Sequence, residues 1–338
     1  MGQRIKSCLK IFVFITFVMY FQTEPVAFAQ NEQTSGFFSM QSQSPIQQLC
    51  MGIQHHPPWI VPKGQWAFQI HNNWGNMWLY KQDLYRIDGE YHENVFRVAH
   101  GVTRRLEVMA QIPVRNISGG IIDVLSERFH DTFGYTQAGR DKYPCNKFAI
   151  EIYFPEKDTT VTLGSSAAGW KIGNLILSTT YDLIKNRNSK FNAVITGNIK
   201  LPTVTTKQLY CSQKIDLGLT LGLGYSISPL HLYYNAGFLY YGEKEVMCFE
   251  LRRWHLSSLI AFEYRRSGSN HSWIFQGLME SGVAKYYNEF DKPTFEIVAG
   301  YKHYYKSGWT FGVGILENAF YYDNSPDVAF HLELTRFL

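Results

Sequence analysis

Beyond Phe21 the chain has no long apolar run, which excludes a bundle of membrane-spanning helices needing ~20 such residues each. Cysteine is scarce: five residues, none in a C-x-x-C pair, so zinc-ribbon and thioredoxin-like chemistry is absent from the pattern. Charge of one sign is also lacking. The formal charge is +4, and losing a leader that carries Arg4, Lys6, Lys10 and Glu24 would leave +2, too little to argue for nucleic acid. There is no G-x-S-x-G: Gly164-Ser165-Ser166-Ala167-Ala168 fails at its last position. No H-x-x-x-H occurs, and the adjacent His55 and His56 would diverge on an extended segment. Gly218, Gly222 and Gly224 alternate along a strand pattern and do not make a phosphate loop. No cofactor or metal is expected.

What is present is alternation. Ile215, Leu217, Leu219, Leu221, Leu223, Tyr225 and Ile227 fall on one face, and Lys214, Asp216, Gly218, Thr220, Gly222, Gly224 and Ser226 on the other. This span exceeds the usual strand of ~5–6 residues and suits a tilted membrane-crossing strand of ~9–11 or more. An aromatic share of 16% with a mean hydropathy of only −0.20 fits the same picture. Polar and apolar residues cancel along each strand of a transmembrane barrel, while aromatics gather at its two interfaces.

Similar runs place strands near 65–75, 89–100, 104–114, 169–181, 190–201, 213–227, 230–241, 253–266, 271–283, 293–305, 308–318 and 327–338. Strands 89–100 and 169–181 alternate poorly. Short and long connections take turns along the chain, with long ones at 76–88, 115–168, 202–212, 242–252, 284–292 and 319–326. That asymmetry predicts an antiparallel transmembrane β-barrel of about twelve strands, with both termini on the periplasmic side. A hairpin at 147–154 and 159–164 would raise the count to fourteen, or would project above the membrane.

The N-terminus reads as an export signal: basic residues precede the Ile11–Phe21 run, and Val26-Ala27-Phe28-Ala29 offers a cleavage site. We therefore expect a signal peptide over 1–29, a polar leader over 30–64 and a barrel over 65–338, located in the bacterial outer membrane after cleavage near Ala29. The leader, rich in Gln, Ser and Pro, would be an internal plug or a periplasmic tail. The expected partners are outer-membrane lipids, and barrel-assembly machinery reading the C-terminal strand, where Phe337 is penultimate and Arg336 breaks the apolar face.

The order of several segments resembles the bacterial exported proteins grouped as domain of unknown function 3187. These are Ser42-Gln43-Ser44-Pro45, Gly119-Gly120-Ile121-Ile122-Asp123, Phe129-His130-Asp131-Thr132-Phe133-Gly134, Gly139-Arg140-Asp141, Lys200-Leu201-Pro202-Thr203, Glu317-Asn318 and Ser325-Pro326-Asp327. Val204 stands where members of that family usually carry a glycine. The resemblance implies an outer-membrane barrel and brings no established activity with it.

The densest polar cluster is Asp123, Glu127, Arg128, His130, Asp131, Arg140 and Asp141, in the longest loop. A short helix over 121–133 is expected, folded into the barrel mouth as a constriction or a substrate-facing surface. A hydrolase would use His130 with Ser126, four residues earlier, or with Asp131. If the apolar faces meet lipid, the lumen receives Arg105, Glu107, Lys200, Lys214, Asp216, Glu263, Arg265, Glu296, Lys302, His331 and Glu333. Mixed charge suggests a narrow, weakly selective passage or a lumen closed by ion pairs. Twelve strands enclose less space than the 16–18 of open porins, so the loop or the leader could fill it. Cys211 and Cys248 sit in successive outer loops and are candidates for a disulfide; Cys50 reaches Cys145 only if the leader threads up the lumen.

The functional expectation is a conduit or scaffold gated by residues 115–146. The alternatives are a membrane-embedded hydrolase using His130, and a surface protein binding partners through its long loops.

Overall fold

Our computed structural model describes residues 36–134, 136–163, 167–184, 189–204, 212–320, 324–326 and 328–338. The signal-peptide expectation, Ser165 and Ser166 of the failed motif, and Cys211 lie outside the described residues.

Alternation does build strands. β1 (Trp66–Lys81), β2 (Tyr85–Gly101) and β3 (Leu106–Ser118) open the barrel, followed by β4 (Ala149–Phe154), β5 (Thr159–Leu163), β6 (Gly169–Ile172), β7 (Leu175–Asp182), β8 (Phe191–Leu201), β9 (Asp216–Ile227) and β10 (Leu230–Tyr240). A small hairpin, β11 (Glu245–Val246) and β12 (Phe249–Glu250), precedes β13 (Trp254–Tyr264), β14 (His271–Glu280), β15 (Thr294–Tyr304), β16 (Trp309–Asn318) and β17 (Val328–Phe337). Each barrel strand pairs antiparallel with its neighbours in sequence, and β17 closes the ring on β1 with Ala67 opposite Phe337 and Asn76 opposite Val328. β6 and β7 together form one wall strand against β3, so the barrel has twelve.

The hairpin β4–β5 does not enter the wall. It pairs with the upper end of β2, Tyr85 opposite Ile152, and stands above the rim. The expected long connection 76–88 is also absent as a loop. β1 and β2 run on past the last β17 partner at Asn76, pairing with each other to Lys81 and Tyr85.

The two strands that read poorly have physical causes. In β6–β7 an extra residue near Gly173 lies opposite Pro113, and the outward set shifts from Trp170 and Ile172 to Leu177 and Tyr181. A bulge thus swaps faces midway and erases the period. In β2 the buried, inward set includes Tyr91, Glu93, Val95 and Ala99, while Glu90, His92 and Asn94 face out.

The outer wall is apolar. Leu217, Leu219, Leu221, Leu230, Leu256, Ile260, Phe262, Phe275, Ile315 and Leu332 are exposed, whereas their strand neighbours Asp216, Thr220, His231, Ser257, Glu263, Gln276 and His331 are buried. This inverts the arrangement of a water-soluble sandwich and suits strands surrounded by hydrocarbon. No described helix is long and apolar enough to cross a membrane.

Candidate functional site in the barrel lumen

The described part of the leader is an internal plug. From Gly36 to Val61 almost every residue is buried, including Ser42, Gln43, Gln47, Gln48, Gln54, His55 and His56. The segment rises from mid-barrel to a 3-10 turn at Gln47–Leu49 and descends again, meeting the wall beside the barrel's lower end where Lys63 bridges Gly101. A Gln- and Ser-rich chain tolerates such burial because the wall satisfies its polar groups.

The satisfying groups are lumen charges and side-chain amides. Glu296 accepts from Gln43 N at 2.9 Å and Ser42 Oγ at 3.1 Å. Glu107 accepts from Val61 N at 2.7 Å and contacts His56 Nε2 at 2.8 Å. Lys302 Nζ donates to the Phe37 carbonyl and to Glu333, both at 2.9 Å. Arg97 donates to Gln54 at 3.2 Å, Asn235 accepts from His56 N at 3.0 Å, and Gln276 accepts from Phe38 N at 2.8 Å.

Glycines on the inner wall make the sockets. A Cβ on Gly300 would lie 2.4 Å from the Phe38 ring, one on Gly237 2.3 Å from Ile53, and one on Gly224 2.5 Å from Pro58. The sequence signal was therefore present in Gly222 and Gly224, which leave room in the lumen for chain and not merely for wall side chains.

Of the expected lumen residues, Glu107, Lys200, Asp216, Glu263, Arg265, Glu296, Lys302, His331 and Glu333 do face inward and are buried. Lys200 pairs with Asp216 at 2.5 Å, and Glu263 accepts from Tyr233 at 2.7 Å and Ser272 at 2.5 Å. Two expectations fail. Lys214 precedes the strand and is exposed, and Arg105 sits in the lower turn, bonded to the outward Tyr181 hydroxyl at 3.2 Å. Sequence reading missed the buried pair Arg115–Glu93 at 2.8 Å, because β3 extends past its expected end and β2 alternates poorly.

Above the plug an apolar roof closes the lumen. Ile46, Leu49, Cys50 and Met51 pack with Leu79, Tyr85, Tyr241, Phe249, Leu251, Tyr287 and Phe290. Two cavities beside the plug measure about 20 Å³ next to Glu93 and Arg115, and about 80 Å³ near Trp59, Phe337 and Lys302. At ~10–15 Å³ per water, these hold one water and a few.

The cluster expected in the barrel mouth lies elsewhere. Helix α1 (Asp123–Phe133) and the turn at Arg140 pack on the outer face of the β1–β2 hairpin. Asp123 accepts from Asn76 at 2.8 Å and from Asn146 N at 2.6 Å, and Trp78 Nε1 donates to Ala138 O at 3.1 Å. Asn76 and Trp78 point away from the lumen, whose side of β1 carries Met77 and Leu79. Helix α1 and the turn at Arg140 thus clothe the outer wall and do not cap the mouth.

The hydrolase constellation is also not assembled. Arg140 donates to the buried Ser126 Oγ at 2.5 Å, His130 Nδ1 meets the Thr136 carbonyl at 3.0 Å, and Asp131 accepts from Gln137 at 2.7 Å. Glu127 accepts from the Cys145 thiol at 3.2 Å, while Arg128 and Asp141 face solvent. Cys50 is a buried free thiol at the top of the plug and Cys145 an exposed one, so threading of the leader does not join them. The partner proposed for Cys248 lies outside the described residues.

Beneath this loop Asp88 is buried in the part of the hairpin that stands above the rim, near Asp123. Burial first, and Asp123 second, raise its pKa from 3.8 to about 7 against the opposing pull of Arg86 and Arg140. The docked form then holds a proton that the undocked form releases between pH about 4 and about 7, so docking weakens as pH rises through that window. Protease cleavage within 119–148, normalised to a peptide substrate, should rise from pH 5 to pH 8, by roughly tenfold for each pKa unit realised. Asp88→Asn should flatten that profile.

The family model described as "Protein of unknown function (DUF3187)" matches residues 13–337. The chain belongs to this family. No curated protein matches it. Among solved structures, the COG4313 outer membrane channel from Pseudomonas putida F1 superposes with a TM-score of 0.55 at 11% identity, covering 82% of this chain and 97% of that one. The NanC porin gives 0.44 at 8% identity, covering 80% and 99%. The CymD monoaromatic hydrocarbon channel gives 0.39 at 10%, covering 82% and 89%. At these identities the first shares this DUF3187 chain's fold, and the other two carry no further argument.

Proposed function

We propose that this chain is an outer-membrane conduit for small polar solutes whose passage is closed by its own segment 36–61. The observation that carries the reading is the match between plug and wall: a polar segment held by buried lumen charges and seated in glycine sockets. A rigid scaffold would be served as well by an apolar filling, which needs no such matching and avoids burying charge. The barrel fold it shares with the COG4313 outer membrane channel supports the same reading. Signal cleavage near Ala29 and recognition of β17 by assembly machinery belong to it, and lipid covers the apolar outer wall. Gating falls to the plug and its roof, with α1 dressing the outside.

Gly237→Val tests the gate with the wall chain length unchanged. The added side chain collides with Ile53 of the plug. In planar bilayers the variant should show opening events more often than the intact chain. Equal, silent traces from a correctly folded variant would argue for a scaffold.

A further inference from the structure

The lower rim carries a side-chain cluster that the conduit does not use. His271 opens β14, and His303 lies directly opposite it near the end of β15. Both point outward, with Tyr301 on the same face of β15, two residues before His303. His271 Nδ1 lies 3.4 Å from His303 Nδ1. The Tyr301 hydroxyl oxygen is 2.5 Å from the first nitrogen and 3.2 Å from the second. Three potential donor atoms from two paired strands thus converge on one point.

We propose that His271, His303 and Tyr301 form a binding site for a borderline divalent transition cation of the Zn²⁺, Cu²⁺ or Ni²⁺ class. Two imidazole nitrogens bound at ~2.0–2.1 Å with a tetrahedral angle stand ~3.4 Å apart, the spacing seen here. Imidazole suits this group of metals; the Tyr301 oxygen, now at hydrogen-bond distance from His271 Nδ1, joins as a third, anionic ligand once metal replaces that proton and the oxygen swings out to ligand spacing. The ring of His303 is steadied by Tyr305 at 4.4 Å, and that of Tyr301 by Trp273 at 5.2 Å. His271 is exposed, which leaves a coordination position open to water. Placement on two hydrogen-bonded strands gives the rigidity such a site needs. A hydrogen-bonded ring pair in an interfacial aromatic belt is the competing explanation, and it predicts no affinity for metal. The site is not legible in the sequence, because its histidines lie 32 residues apart and only strand pairing brings them together.

The inference is independent of the conduit reading, and its test uses no transport measurement. Untagged full-length protein folded in detergent is titrated with Cu²⁺ and with Zn²⁺ by calorimetry, and the Cu²⁺ form is examined by electron paramagnetic resonance. We expect one ion per chain and a spectrum with two coupled nitrogens. His271→Ala and His303→Ala should each weaken binding by at least roughly tenfold and reduce the coupling to one nitrogen. Tyr301→Phe should weaken it less, and His100→Ala, on the same rim against Trp66, should leave it unchanged. Retained heat-modifiable gel mobility establishes that each variant is folded. Substoichiometric binding, or binding that survives in the His271→Ala/His303→Ala double variant, would overturn the site.

Discussion

Deleting residues 36–61 should convert a nearly silent barrel into one that conducts in discrete steps. Around the plug, two cavities among the described residues measure about 20 and about 80 Å³, room for one water and for a few. Without the segment, the inner wall presents Glu93, Glu107, Asp216, Glu263, Glu280, Glu296 and Glu333 against Arg97, Arg115, Lys200, Arg265 and Lys302, all inward-facing. The acidic excess is small, so the open state should prefer cations weakly. A twelve-stranded ring lies between the filled eight-stranded barrels and the open 16–18-stranded porins, so its conductance should be lower than a general porin's. Single-channel recording and reversal potentials in a salt gradient measure both quantities. The Gly237→Val variant should give the same conductance level in brief events. A deletion variant that folds and remains silent would mean that the wall itself closes the passage.

The second large effect concerns the charge that ties plug to wall. Lys302 Nζ binds both Glu333 and the Phe37 carbonyl, and the ammonium lies 4.9 Å from the centre of the Phe38 ring. Both side chains of the ion pair are almost wholly buried. Lys302→Met leaves the Glu333 carboxylate in the lumen with His331 at 3.7 Å and Ser39 N at 3.4 Å as its neighbours. Breaking a buried pair from one side costs ~3–5 kcal/mol, whereas replacing both partners by apolar groups can cost little. Denaturant unfolding in detergent should therefore show a large loss for Lys302→Met and substantial recovery in Lys302→Met/Glu333→Leu. The single variant should also release the plug and raise channel activity. Equal stability of Lys302→Met and the parent would show that the pair is hydrated and carries none of the plug's attachment.

Much of the wall is legible in the sequence, because period-two alternation reports one face in hydrocarbon and one in a polar interior. Leu217, Leu219 and Leu221 against Asp216 and Thr220 read the same way in sequence and in space. Alternation failed where its premise failed. Around Gly173 a bulge changes which parity points out, and on β2 the covering loop lets Glu90 and Asp88 face outward while the plug lets Tyr91 and Val95 face in.

The position of α1 was legible as a helix but not as to side. Helical spacing shows that Ile122 and Ser126 share a face, yet it says nothing about which wall receives them. The plug was hardest to read. Burial of Gln43, Gln48 and Gln54 is decided by partners such as Glu296, Arg97 and Arg115, hundreds or tens of residues away, and composition alone leaves plug and periplasmic tail undivided. Its trace in the sequence was negative: inward glycines at 222, 224, 237 and 300, each leaving a space with no local reason.

The central claim, that residues 36–61 fill the lumen of the folded barrel, is tested most directly with the native cysteines. Folded protein in detergent is exposed to a maleimide, and each modified thiol is located by peptide mass mapping. Cys50, buried at the apex of the plug, should stay unmodified until the protein is denatured, while the exposed Cys145 is modified in both states. Modification of Cys50 in the folded barrel at a rate comparable to that of Cys145 would contradict the account.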